Sequence, residues 1–237
     1  MASMSGSFVP AALARAFGAA ASLALVSGCM TAQLEESRTL STHIAAHEAV
    51  VLLAKPHVEG TSSEDDFMDC VGDKIAKRQG IRVQSNNDFQ DTMFPWFEPS
   101  TAPQRAEGVA QLLTRPAVRQ RIAENGVRYI VWVDGVTRQT DSGGSISCAI
   151  GPGGGGCIGF GWWEKESDYD AIVWDLQEAK SAGTVSTNVT GTSALVGAIV
   201  PLPFIARVQG TACDRLAEQL GGFLHGVDPT AAATAGT

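Results

Sequence analysis

The chain has 237 residues, and its 17 Lys and Arg against 25 Asp and Glu give a formal net charge of −8 at pH 7. An acidic surface is repelled by nucleic acids and by anionic bilayers, so a nucleic-acid partner is not expected. The length suits one domain with a substantial core.

The first segment of the chain is apolar and ends in a cysteine. Arg15 is the only charged residue in 1–28, and a run of apolar and small residues ends in Val26-Ser27-Gly28-Cys29. A positive residue before such a run is typical of a signal peptide, and the run falls short of the ~20 residues of a transmembrane helix. The sequence around Cys29 resembles the lipobox of bacterial lipoproteins, and the alternative is an ordinary secretory signal.

The lipobox resemblance implies where the protein works. In bacterial lipoproteins the signal peptide, here 1–28, is removed, and the cysteine that then begins the chain, here Cys29, carries palmitate and other acyl chains. Two or more acyl chains anchor a protein stably to a membrane. In enterobacterial lipoproteins an aspartate after the cysteine favours the inner membrane, so Met30 favours the outer membrane, with the protein facing the periplasm. The inner membrane is the alternative.

The segment 29–47 is polar with no strong period, and it is predicted to be a tether between the lipid and the folded body. His43 and His47 are four residues apart, but HIAAHE is not the HExxH motif of zinc proteases. We interpret both histidines as exposed tether residues and predict neither a metal site nor another cofactor.

The body is predicted to begin with a helix between two strands. The continuous apolar run Ala49–Ala54 is typical of a strand buried on both faces, and Ile81–Gln84 predicts a second, shorter strand. Between them a helix is expected from Ser62 or Ser63 to Gly80, because acidic residues crowd its first turn and basic residues its last. Its predicted buried stripe is Phe67, Val71 and Ile75, with Cys70 beside it.

Three aromatic residues, Phe94, Trp96 and Phe97, lie within four positions of the chain between prolines. Proline pre-sets the backbone and tryptophan is enriched in interface hot spots, so the cluster is a candidate partner contact. The alternative is that the three rings cover the sheet as core. A helical turn is predicted at 88–94, and two helices at 103–113 and 116–124.

The second half of the chain is predicted to be mostly strands. The clearest is Arg128–Gln139, whose side chains alternate between two apolar faces. The glycine-rich segment Gly143–Gly161 contains no Gly-Lys-Ser/Thr, so it is interpreted as a flexible hairpin tip and not as a phosphate loop. The remaining predicted elements are strands at 168–176 and 183–193, a helix at 207–224, and a disordered tail at 227–237.

Four cysteines remain besides Cys29, and an oxidising periplasm favours disulfides among them. Cys148 and Cys157 flank AIGPGGGG and lie on the two sides of one loop, so we predict a bond between them. That leaves Cys70 and Cys213, each in a predicted helix, as the second pair. The alternative is four reduced, buried thiols. Zinc is disfavoured, because the spacings lack a C-x2-C pair and a nearby histidine.

The order of elements predicts an α/β (α+β) fold in one domain, 48–226, with helices on a mixed β-sheet, a long glycine-rich hairpin and a carboxy-terminal helix. VVLLA, IRVQS, GVRYIVWVDG and YDAIVWDLQEAKSAGTV resemble the α/β domain shared by three families. These are the curli-export lipoproteins, the amino-terminal domain of the Tol-system β-propeller protein, and the penicillin-binding-protein activator lipoproteins. The likeness covers roughly Ala49–Leu224. The helical insert 101–124 and the longer hairpin depart from it.

The resemblance implies a non-enzymatic envelope lipoprotein that binds other envelope proteins or associates with itself. The first alternative is a subunit of an oligomeric outer-membrane export pore, whose membrane hairpin would be Ser145–Trp163. A weaker alternative is a periplasmic hydrolase using Asp168 and Asp170, which share one strand face. The sequence has no G-x-S-x-G motif and no histidine between His57 and His225, so no catalytic residue is predicted.

Overall fold

A mixed sheet of seven strands forms the centre of the computed structural model, which describes residues 30–54, 62–97, 101, 103, 106–151, 154–197 and 202–227. Its strands are β1 (Met30–Arg38), β2 (Ala49–Ala54), β3 (Arg82–Gln84), β4 (Val127–Gly151), β5 (Gly154–Asp175), β6 (Lys180–Gly197) and β7 (Leu202–Phe204). Its helices are α1 (Ser62–Gln79), α2 (Asn86–Thr92), α3 (Ala106–Leu113), α4 (Pro116–Asn125) and α5 (Val208–His225). The predicted fold class is confirmed. The predicted signal peptide, Cys29 and the tail from 228 lie outside the described residues.

The strands are arranged in the order β1-β6-β5-β4-β2-β3, and β7 also pairs with β6. β2 runs parallel to both β3 and β4, as expected where a helix or a longer crossover joins neighbouring strands. The other pairings are antiparallel. β1 and β7 share the outer edge of β6, since β1 pairs with 183–191 and β7 with 194–196.

Helices α1 and α5 cover one face of the sheet, which we call the helical face. The predicted stripe of α1 is buried there with Leu216 and Leu220 of α5. Phe67 of α1 stacks on Tyr169 of β5 with ring centroids 3.7 Å apart. Cys70 and Cys213 form a disulfide between the two helices, with Cα atoms 6.3 Å apart. This is the second of the two predicted cysteine pairs. This face therefore holds the larger core.

Helices α2, α3 and α4 cover the opposite face only over β2 and the adjacent ends of β4 and β5. The core there includes Val51, Ile130, Trp132 and Trp174 from the strands, and Phe89 from α2. Further along β5, from Asp170 out to Ile158, the side chains on this side of the sheet are exposed or half-buried. We call this second side the open face.

The segment Met30–Arg38 forms an edge strand where the sequence predicted part of a tether. All nine residues pair with β6, from Met30 opposite Gly191 to Arg38 opposite Gly183, without a bulge. Most side chains of β1 are exposed, so its composition resembles that of a linker, while its backbone hydrogen bonds are supplied by a strand ~150 residues away. His43 and His47 are exposed, as predicted.

The glycine-rich segment continues the sheet, where the sequence predicted a flexible tip. β4 and β5 pair from Tyr129–Asp175 out to Gly151–Gly154, with one register shift between Gln139 and Asp141. Backbone hydrogen bonds need no side chain, so a run of glycines can extend an antiparallel pair once the flanking strands have set its register.

Candidate functional site

The open face of β5 is divided into three zones along a single strand. Side chains two residues apart share a face, so every second residue from 158 to 174 lies on the same side. Nearest the body are Ile172 and Trp174, which belong to the core under the helices or pack against it. Next come Glu164, Glu166, Asp168 and Asp170, which are exposed or half-buried. Farthest out are the apolar side chains Ile158, Phe160 and Trp162.

The boundary between the acidic and the apolar zones crosses both strands of the hairpin at the same level. Asp141 of β4 is paired with Glu164 of β5, and the 22 residues between them, 142–163, contain no charged side chain. We call the paired segments Ser142–Gly151 and Gly154–Trp163 the distal hairpin. The distal hairpin is thus an uncharged extension of a strongly acidic protein.

Two tryptophans mark the inner end of the distal hairpin. Trp162 and Trp163 are both half-buried, and they lie on opposite faces. The indole of Trp162 lies across Gly143, where an added Cβ would stand 3.0 Å from its Nε1 atom. A glycine at position 143 therefore lets the ring lie close to the sheet.

Beyond the tryptophans the apolar zone is exposed. Ile158 is 67% exposed and Phe160 is 48% exposed, and they follow one another on the same face. Single exposed apolar residues are ordinary, but adjacent large ones on a projecting element are typical of a contact surface. Neither residue was predicted as a contact from the sequence, in which the available signal is the alternation of apolar residues with glycine from 158 to 162.

The body leaves one side of β4 open before the hairpin begins. β2 pairs with β4 only as far as Ala54 opposite Val133, whereas β4 continues to Gly151. Among the described residues, no strand pairs with that side of β4 from Gly135 on. The backbone of β4 therefore presents an edge to which another strand can be added.

The predicted pair Cys148–Cys157 lies within the distal hairpin. The two residues are directly opposite each other in the register of β4 and β5, and Cys148 takes part in a disulfide. The side chain of Cys157 is outside the described residues, so the bond between these two cysteines stays a prediction.

The aromatic cluster is divided between core and surface, and its proposed role as one contact surface is wrong in part. Phe97 is 2% exposed and meets Phe89 edge to face, with ring centroids 5.0 Å apart. Trp96 is half-buried against the same core, and only Phe94, 58% exposed, faces solvent. The turn after α2 directs Phe97 inward, so Phe97 is not available to a partner.

The two carboxylates of the hydrolase alternative share one face of β5, as predicted. That face is the open face, and both residues are exposed. Asp170 accepts a hydrogen bond of 2.5 Å from Ser186 Oγ, and Asp168 lies between Val136 and Asn188 on the neighbouring strands. A separate cleft of about 510 Å³ lies at the ends of β2 and β3, and neither aspartate lines it. Asp65, Asp69 and Asp73 line that cleft together with Ser85, and the described residues of its lining include no histidine, cysteine or lysine.

A buried ion pair holds the opposite end of β5. Arg128 Nη2 donates to Asp175 Oδ2 at 2.7 Å, and Asp175 Oδ1 accepts from the backbone N–H groups of Gln177 and Glu178. Burial lowers the pKa of the Arg128 guanidinium, but Tyr129 and the charge of Asp175 raise it by more, so that pKa lies above its ordinary value. The pair closes the turn between β5 and β6 and has a structural role.

No group of His, Cys, Asp and Glu in the described residues is arranged to hold a metal ion. None of the helices in the described ranges is long and apolar enough to span a bilayer.

Comparison with known proteins gives only distant likenesses. No family model and no curated protein matches the chain. Among solved structures, a PelC dodecamer from Paraburkholderia phytofirmans is 11% identical, with a TM-score of 0.43 over 84% of this chain and 98% of that one. Lipoprotein GNA1162 from Neisseria meningitidis is 10% identical, with a TM-score of 0.34 over 74% and 99%. The hypothetical protein CT253 from Chlamydia trachomatis is 8% identical, with a TM-score of 0.35 over 75% and 98%. These TM-scores are too low to support a shared function or assembly.

Proposed function

We propose that this chain is a lipid-anchored protein of the bacterial envelope, held in the outer membrane through Cys29, that assembles with another envelope protein or with its own copies. It is not an enzyme in this proposal. The observation that carries the assembly is the open edge of β4 from Gly135 on. An unpaired strand edge offers a row of backbone donors and acceptors, and adding a strand to it is a common mode of protein recognition.

On the other side of the sheet, β1 is the last strand of the described residues, so its outer side is a second open edge. The pairing across β6 and β5 places Met30 at the same level along the sheet as Gln139 of β4. It places Leu34 at the same level as Gly135. The first five residues of β1, 30–34, carry no charge. β1 is antiparallel to β6, and β6 runs in the same direction as β4, so β1 of one copy would meet β4 of the next in antiparallel pairing. Such a head-to-tail contact closes into a ring when its rotation permits.

Photo-crosslinking in intact cells tests the assembly. A photoreactive phenylalanine analogue at Gln139, exposed on β4, should give a discrete adduct with another envelope protein or with a second copy. The matched control is the same analogue at Ala76, exposed on α1. An adduct yield at Gln139 no higher than at Ala76 would contradict assembly at this edge. For the anchor, Cys29→Ala should release the protein from membranes or leave the precursor uncut.

One observation favours the pore subunit as a second candidate. The paired strands of the distal hairpin contain ten residues each, and a strand that crosses a bilayer needs ~9–11. A pore also requires several copies, for which the two open edges supply the contacts. A monomeric mass of the detergent-extracted protein would rule out the pore subunit, because a monomer cannot form this pore, whereas an oligomeric mass fits both candidates.

A further inference from the structure

We propose that the distal hairpin enters the same bilayer as the acyl chains of Cys29, with the membrane surface at the Asp141–Glu164 pair. The inference rests on the anchor of the proposed function. It adds that the apolar zone of the open face contacts the hydrocarbon and interfacial region of a lipid bilayer.

The position of β1 places the lipid at the level of the charge boundary. Met30 pairs with Gly191, and Gly191 pairs with Lys165. Met30 therefore lies at the level of Lys165, one residue from Glu164. The peptide bond between Cys29 and Met30 holds their Cα atoms ~3.8 Å apart. An acyl chain on Cys29 would thus start within a few residues' length of the level where the charged side chains of the hairpin end.

The dimensions of the distal hairpin match a membrane. Ten residues at ~3.3 Å each give about 33 Å, close to the ~30 Å thickness of the hydrocarbon core. The segment has this length on both strands and no charged side chain. It can thus enter the bilayer without placing a charge in hydrocarbon.

The side chains of the distal hairpin follow the order expected from the membrane surface inward. Tryptophan is enriched at the interface, where its ring is apolar and its N–H can bond to water or a headgroup. Trp162 and Trp163 directly follow the last charged pair, and Phe160 and Ile158 lie deeper on the open face. A soluble partner would leave this order of charged residues, then tryptophan, then Phe160 and Ile158 unexplained.

The open edge of β4 limits how deep a single copy can enter. Unpaired backbone groups are costly in hydrocarbon, and the outer side of β4 has no strand partner among the described residues. One copy is therefore expected to reach the interfacial region. Full crossing requires a neighbouring copy that pairs with this edge.

Flotation with lipid vesicles tests the hairpin without the anchor. The mature-length chain, 29–237, carrying Cys29→Ser has no lipid, and it should still float with phosphatidylcholine vesicles. Phe160→Glu should reduce the bound fraction ~10-fold or more, because burial of a phenylalanine side chain in the bilayer is lost. Phe94→Glu is the matched control, since Phe94 is a similarly exposed phenylalanine on the body, and it should bind as the parent does. Added phosphatidylglycerol should weaken binding, because the acidic zone lies next to the membrane surface.

Three results would overturn the inference. The first is that the Phe160→Glu variant floats as well as the parent, and the second is that the Phe94→Glu variant loses as much flotation as Phe160→Glu does. The third is that binding requires phosphatidylglycerol. If Phe160→Glu instead lowers the mass of an oligomer and leaves flotation unchanged, the occupant of the apolar zone is a second copy. The anchor has its own readout, which is labelling of the wild-type chain by radioactive palmitate. Absence of label with hairpin-dependent flotation refutes the anchor alone.

Discussion

The disulfide between Cys70 and Cys213 links the first and last helices, and its removal should be among the most destabilising changes in the protein. The two cysteines are 143 residues apart in sequence. In the chain-entropy model the stabilisation grows with the logarithm of loop length, which gives about 5 kcal/mol for a loop of this size. Measured losses for native disulfides of small domains are about 2–5 kcal/mol, so we expect a value in that range.

The test is urea unfolding of the Cys70→Ala/Cys213→Ala double variant against the wild type, followed by circular dichroism. The control variant is Cys148→Ala/Cys157→Ala, whose loop of about ten residues is worth at most ~3 kcal/mol in the same model. The distal hairpin also lies outside both cores, so its bond should affect global unfolding less. A loss below ~1 kcal/mol for the Cys70/Cys213 variant would refute the reasoning.

Three further predictions test the energetics of the body. Asp175→Ala should cost ~3–5 kcal/mol in urea unfolding, since it leaves the Arg128 charge buried, and a cost under ~1 kcal/mol would show the pair to be dispensable. Phe97→Ala should lose ~3–5 kcal/mol and Phe94→Ala less than ~0.5, and similar melting temperatures for the two variants would refute the assignment of Phe97 to the core. The hydrogen bond from Lys74 lowers the pKa of the Asp214 carboxyl below its usual 3.8, so the pair stabilises the fold above that pH and the effect is lost as the pH falls through the lower, folded-state pKa. The difference in unfolding free energy between wild type and Asp214→Asn should therefore be at most ~1 kcal/mol at pH 7 and should vanish in acid, and a difference that grows in acid would contradict the sign.

The elements with a strong local pattern could be predicted from the sequence. The stripe of Phe67, Val71 and Ile75 and the charge order of α1 specify both the helix and its buried face. The apolar run of β2 specifies a strand covered on both sides. In each case the signal lies within one element and depends on no distant residue.

The features that escaped prediction depend on pairing between distant segments. β1 has the composition of a linker, and only its pairing with β6 makes it a strand. The charge boundary exists because Asp141 and Glu164 meet across β4 and β5, and the register shift after Gln139 sets that pairing. A sequence shows the uncharged run 142–163, but it does not show that its two ends lie at the level of Met30.

The aromatic cluster shows a different limit. The sequence places Phe94, Trp96 and Phe97 together and favours core over contact surface only because most aromatic residues of a domain this size are buried. The turn after α2 separates them, with Phe97 in the core and Phe94 exposed. Backbone direction in a short turn decides the outcome, and residue type carries little information about it.

The depth of Trp162 and Trp163 in the membrane tests the central claim most directly. The lipidated protein would be reconstituted in vesicles whose phosphatidylcholine carries bromine at defined acyl positions, and tryptophan fluorescence would be measured. We expect quenching strongest for bromine near the headgroup and lost in the Trp162→Phe/Trp163→Phe variant. Of the other three tryptophans, Trp132 and Trp174 are buried in the body, and Trp96 packs half-buried against the same core. Fluorescence that is unquenched at every bromine position, or equally quenched in that variant, would contradict a membrane surface at the Asp141–Glu164 pair.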